Sequence, residues 1–277
     1  MCWNYITKPV SVARALATRA WGINNMRILF DKMSKHIFLL LLLLIATPAR
    51  ADITSGLVGW WKLDENAANT TVLDSSGNAI TGTATNNTST LHVDGKIGSG
   101  AMSFDGSQYV ALGTPAAIGA VVYPYTVSFW AKPTTLAQNG VIASFANNGP
   151  AYAAAYGLYL GVNRIEVGNA GHMYGLSGIS TYLTAGQWAM WTMVWTDATT
   201  LSFYINGDLK AIDYEGNYLV YSGNFIGESG TGLRFTGSID DVRIYNRALS
   251  GAEVAELYQY NVAHLGGAQI SNAHLGH

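Results

Sequence analysis

The chain is poor in cysteine and in charge. Cys2 is the only cysteine of 277 residues, and Asp, Glu, Lys and Arg together make up 12%. A single cysteine leaves no disulfide framework within the chain, so stability has to come from a hydrophobic core or a bound metal. Basic charge is scarcer still in the main body: seven of the fifteen Lys and Arg, but one of the seventeen Asp and Glu, precede residue 52. That leaves 8 basic and 16 acidic residues, a net charge of −8. A nucleic-acid partner is not expected for such a surface.

Long hydrophobic runs are also missing. The most apolar segment, Ile37 to Ala46, is ten residues long. A spanning helix needs roughly 20, so no membrane span is expected. Ser34, Lys35 and His36 form a short polar and basic stretch before this run, and Ala49-Arg50-Ala51 offers a small-x-small cleavage site after it. The pattern predicts a signal peptide over 33–51 and a secreted, extracellular or periplasmic protein. Residues 1–32 then read as an upstream extension or a mis-called start, or else as a long n-region.

Catalytic patterns are absent too. No stretch has the Glu-x-Asp-x-x-Glu arrangement of acids on one strand, and an isolated pair, Asp213 and Glu215, reads as solvated and turn-facing. His92, His172, His264, His274 and His277 are scattered, with no metal-binding pair one helical turn apart. No Gly-x-Ser-x-Gly elbow or phosphate-cradling glycine loop ahead of a helix occurs. No catalytic residue is assigned.

What is present is a β pattern. From Leu57 to Tyr245, short apolar or aromatic runs are cut by Gly, Asn, Ser, Thr and Asp every eight to twelve residues, the spacing of a sandwich or jelly roll. In "TVSFWAK", Val127, Phe129 and Ala131 alternate with Ser128, Trp130 and Lys132. "FYINGDLKAI" places Asn206-Gly207 between two such runs, a hairpin signal. Ser250 and Glu253 form a capping box ahead of Val254, Leu257 and Tyr258, which predicts one short C-terminal helix. A loose tail is expected over 263–277.

Six stretches carry a family resemblance: "GLVGWWKLDE" (56–65), "VLDSSGNAITG" (72–82), "GKIGSGAMSFDGSQYVAL" (95–112), "YTVSFWAKP" (125–133), "GQWAMWTMVWTDATTLSFYINGDLKA" (186–211) and "FTGSIDDVRIYNRALSGAEVAEL" (235–257). In order and content they resemble the laminin G-like, concanavalin A-like jelly-roll domains of secreted bacterial proteins. The resemblance implies an all-β sandwich of two antiparallel sheets over 52–262, with the N- and C-terminal strands adjacent. It also implies a structural calcium ion near those strands, held by Asp64, Asn78 and Asp240, since Ca²⁺ takes six to eight hard oxygen ligands.

Strand parity sharpens the place of Asp240. Alternation puts it on the face of Val242 and Ile244, pointing inward, and puts Asp241 with Arg243 and Tyr245 on the other face. An inward carboxylate needs a partner. Asp241 is expected in a surface salt bridge to Arg243 or Arg247, Asp74 and Asp105 in their own turns.

Glycan or polysaccharide binding without catalysis is the function these features favour, with an adhesive surface protein contacting other proteins as the alternative and a hydrolase or lyase behind both. Sugar recognition needs exposed aromatic faces among amides and hydroxyls. Tyr152, Tyr156, His172, Tyr174 and Tyr182, in a Gly- and Asn-rich segment, are the candidates, with Tyr214, Tyr218 and Tyr221 as a second group. Trp60, Trp130, Trp191 and Trp195 are expected in the core or between sheets. Trp61 is the exception, because Trp60 and Trp61 cannot both enter one core.

Overall fold

The structure is a computed structural model that describes residues 52–119, 123–146, 155–161, 164–169, 172–197, 199–216 and 223–263. For residues 119, 146, 155–159, 168, 169, 172, 173, 213–216 and 261–263 only the backbone is described. The predicted extension, signal peptide and the tail from residue 264 lie outside the described residues.

In chain order the strands are β1 (Leu57–Trp61), β2 (Thr71–Val72), β3 (Gly82–Ala84), β4 (His92–Val93), β5 (Ala101–Asp105), β6 (Val110–Ala111), β7 (Tyr125–Pro133), β8 (Gly140–Ala146), β9 (Ala155–Gly161), β10 (Arg164–Asn169), β11 (His172–Ser177), β12 (Ala189–Trp195), β13 (Leu201–Ile205), β14 (Asp208–Lys210), β15 (Asp213–Gly216), β16 (Phe225–Ile226) and β17 (Thr236–Tyr245). They form two antiparallel sheets. One runs β14-β13-β12-β7-β17-β5-β4 with β1 added beside β17, and the other runs β15-β11-β10-β9-β8-β16-β6-β3-β2. First and last strands are therefore neighbours, as the resemblance implies.

Alternation along β7 decides what lies between the sheets. Val127, Phe129 and Ala131 join the main core, while Ser128 and Trp130 face away from it. Trp191, Met193 and Trp195 of β12 meet the same core, and Trp61 stacks on Phe145 of the opposite sheet at 6.4 Å between ring centroids. At the β13–β14 hairpin, Asn206 and Gly207 both have positive φ (55° and 83°), the backbone a tight two-residue hairpin turn requires.

A second, smaller core covers the outer face of the first sheet. The C-terminal helix, Gly251–Ala263, packs Val254 and Leu257 against Trp130, Met190, Val194 and Tyr204. Fully burying two such side chains contributes about 1.5–3 kcal/mol each. The capping box is formed as the sequence implies: the Ser250 N–H donates to Glu253 Oε2 (2.7 Å), and the Glu253 N–H donates to Ser250 Oγ (3.2 Å).

One expectation is corrected. Trp61, not Trp60, enters the main core, fully buried, while Trp60 is turned to the outer face. The register decides it: Trp61 pairs with core residue Val242 and Trp60 with Arg243. Trp61 also needs Gly59 beneath it, where any Cβ would sit 2.4 Å from its ring. Trp130 is buried as expected, in the second core under the helix.

Candidate functional site

Parity fails at the aspartate doublet, and a bulge is the reason. Across from β17, Asp240 pairs with Trp130 and Arg243 with Ser128, so Asp241 and Val242 together oppose Phe129 alone. Asp241 adopts φ 52°, a conformation aspartate tolerates better than most residues. Ile239 and Val242 consequently both enter the main core. Asp240, Asp241 and Arg243 all line one pocket on the outer face. Asp240 therefore does not share a face with Val242 and Ile244, yet it is buried, at 1% exposure.

The pocket, about 330 Å³, is lined by Trp60 and Lys62 from the first strand and its exit, by Asp64, by Ile97 and Gly98 of a loop, by the three β17 residues and by Tyr260 of the C-terminal helix. Two carboxylates hold the loop. Asp240 Oδ2 accepts the Lys96 and Ile97 N–H groups (2.7 and 2.8 Å), and Asp64 Oδ1 accepts those of Ser99 and Gly100 (2.7 and 2.8 Å). Gly98 sits between them with φ 68°, and a Cβ there would come 2.6 Å from Asp64 Oδ1. Only glycine fits.

Asp241 does something different. Its Oδ1 accepts Trp60 Nε1 (2.6 Å) together with Arg243 Nε (3.2 Å) and Nη2 (3.0 Å). The guanidinium lies 4.5 Å from the Trp60 ring centroid, and Lys62 Nζ 4.7 Å from it. The expected surface salt bridge is thus a buried one, with side-chain exposures of 5% and 4% for Arg243 and Asp241. Burial disfavours the Arg243 charge, but Asp241 and Tyr245 together more than offset it, so the guanidinium holds its proton more tightly.

Asp240 is left incomplete. Its Oδ1 is buried and has no hydrogen-bond partner, so the carboxylate carries an unspent acceptor at the pocket wall. Burial pushes its pKa up to about 8, helped by the charges of Asp241 and Asp64 and opposed by the Ile97 and Lys96 amides.

Of the three expected calcium ligands, the structure brings Asp64 and Asp240 to this pocket and not Asn78. The Asn78 amide donates instead to the Val58 carbonyl (2.8 Å) and, at 3.3 Å, to that of Leu57. Among the described residues no three acidic, His or Cys side chains cluster as a metal set. The unspent Asp240 oxygen and the nearby Asp64 are the part of the expected set that suits a hard cation.

Asp74 and Asp105 fill the turn roles expected of them. Asp105 Oδ1 accepts the Ser107 N–H (2.8 Å). Asp74 accepts Ser76 N–H (2.8 Å) and Ile80 N–H (2.9 Å), and also Trp60 N–H (3.0 Å), which fastens the turn to β1. Burial raises its pKa, and these three N–H bonds more than reverse that.

The aromatic candidates do not form one platform. Tyr152, Tyr218 and Tyr221 lie outside the described residues, and for Tyr156, His172 and Tyr214 the side chain does. The glycine-rich segment around His172 is strand β11 and not a loop. Tyr174 packs edge-on against core residue Trp195 at 5.6 Å and donates its hydroxyl to the Thr199 carbonyl. Tyr182 is exposed, with Lys210 Nζ 5.1 Å from its ring. Trp60, Lys62, Arg243 and Tyr260 are site residues the sequence reading missed; the Asp-Asp-x-Arg run carried the signal for Arg243 alone.

Two antiparallel sheets packed face to face, with an indole-walled pocket on one outer face, define a β-sandwich. The family model described as the concanavalin A-like lectin/glucanases superfamily matches residues 104–255, and the chain belongs to that family. No curated protein matches the sequence. Among solved structures, domain 4 of AbnA, a GH43 extracellular arabinanase from Geobacillus stearothermophilus in complex with arabinotriose, is similar at 26% identity and TM-score 0.53. The likeness covers 73% of this chain and 98% of that one. The receptor-binding domain of botulinum neurotoxin mosaic serotype C/D shares the fold at 18% identity and TM-score 0.57, over 76% of this chain. That of botulinum neurotoxin D does so at 16% and 0.54, again over 76% of this chain. The match spans about half of these toxin domains, 52% and 54%.

Proposed function

We propose that this protein is a secreted, lectin-like module that binds a glycan and does not cleave it. The observation that carries the proposal is the outer-face pocket of about 330 Å³, which gathers an indole, a phenol and an unspent carboxylate oxygen. Sugar sites need that combination: apolar ring faces for C–H surfaces and a few fixed polar groups for hydroxyls. The likeness to an arabinanase domain seen with arabinotriose supports it. Calcium enters the proposal as a stabiliser of the unliganded protein. Asp64 and Asp240 are the residues that would hold it, and it would supply positive charge to a buried carboxylate. Incubation with arabinan, xylan, β-glucan and polygalacturonate tests the proposal: retention on at least one immobilised polymer with no release of reducing ends supports it. No retention, or release of sugar, contradicts it.

A further inference from the structure

We propose that the Trp60–Asp240 pocket is the sugar subsite and that it selects neutral, hydroxyl-rich glycans over uronate-bearing ones. The proposal rests on the glycan-binding reading above and names its site and ligand class.

Three observations place the sugar here. First, Asp240 is almost wholly buried, holds the Lys96 and Ile97 amides through Oδ2, and leaves Oδ1 without a hydrogen-bond partner. A sugar hydroxyl, which can donate or accept, supplies the missing partner. Second, Trp60 and Tyr260 line the pocket from separate elements, one from the first strand and one from the C-terminal helix. Apolar aromatic surface from both suits the C–H faces of a sugar ring. Third, the volume of about 330 Å³ is at the small end of ligand sites, matching one or two sugar units and far exceeding a bare ion.

Charge sets the class. Arg243 is committed to Asp241 at 3.0 Å, and Lys62 is exposed at the rim over the Trp60 ring. Among the described residues neither Asp64 nor Asp240 is in an ion pair. A uronate carboxylate would be a like charge beside Asp64, which is costly in a partly desolvated site. A calcium ion would use the oxygen a hydroxyl needs, so ion and sugar compete.

Isothermal titration of the full protein with soluble arabinan, xylan and β-glucan, and separately with polygalacturonate, tests this in excess chelator and in calcium. The expected result is binding of a neutral polymer in chelator, weaker binding in calcium, and polygalacturonate at least roughly tenfold weaker. Asp240→Ala removes the oxygen whether or not it carries a proton, and it should weaken neutral binding about tenfold or more. Tyr260→Ala, which leaves the loop contacts intact, should weaken it as well; circular dichroism confirms that both variants are folded. Unchanged binding by two folded variants overturns the site while the glycan reading stands. A requirement for calcium, or equal binding of polygalacturonate, overturns the selectivity argument. Binding of none of the neutral polymers overturns the glycan reading and the subsite together.

Discussion

Trp60 Nε1 donates to Asp241 Oδ1 at 2.6 Å, joining residues 181 positions apart. The bond closes the sheet between its first and last strands and, with Arg243 over the indole, turns that junction into one wall of the pocket. A buried ion pair adds little by itself to stability, but removing one member leaves an uncompensated charge.

Asp241→Ala is therefore expected to destabilise the fold by about 3–5 kcal/mol, because Arg243 loses its carboxylate inside the protein. Replacing both, as Asp241→Ala with Arg243→Met, should recover a large part of that. Urea denaturation of the single and double variants measures it, and additive losses would contradict the coupling.

Asp240 makes stability fall as pH rises. Its native pKa of about 8 lies above the ordinary aspartate value of 3.8, so the folded state holds a proton that the unfolded chain has released. The stability difference is absent below about pH 4, grows through the interval, and is complete above pH 8, with an upper bound of about 6 kcal/mol. Asp240→Asn removes this dependence. Denaturation at pH 4.5 and pH 8.5 should show a smaller difference in the variant than in the parent; equal slopes would show that Asp240 titrates normally.

Trp61→Ala opens the main core beside Phe145 and should cost about 3–5 kcal/mol. Trp60→Ala, on the outer face, should cost less and should act on ligand binding. Thermal midpoints of the pair rank them, and a larger loss for Trp60 would contradict the assignment of faces.

Ser250→Ala removes the hydroxyl that accepts the Glu253 N–H and should cost about 1 kcal/mol. A chemical denaturation curve shifted by less than a few tenths of a kcal/mol would mean that the Arg247–Glu253 pair, at 2.6 Å, suffices to start the helix.

Much of the fold was legible because local rules and tertiary packing agree in it. The alternation of Val127, Phe129 and Ala131, the Asn206-Gly207 turn and the Ser250–Glu253 box each encode their element locally. The site was less so. Parity reasoning assumes an unbroken strand, and the bulge at Asp241 moves the doublet to one face, a choice set by pairing with β7. Asn78 differs from Asp64 and Asp240 for a similar reason: a turn residue offers both a carbonyl and an amide, and here the amide caps β1 carbonyls. Tyr174 looked like a platform because tyrosine suits both sugar and core, and only Trp195 opposite it decides between them.

The most direct test of the central claim is a crystal structure of the protein grown with a neutral oligosaccharide such as arabinotriose. The expected result is a sugar ring in the pocket lined by Trp60 and Tyr260, with one hydroxyl within hydrogen-bond distance of Asp240 Oδ1. Sugar bound at Tyr182, with the Trp60–Asp240 pocket empty, would contradict it.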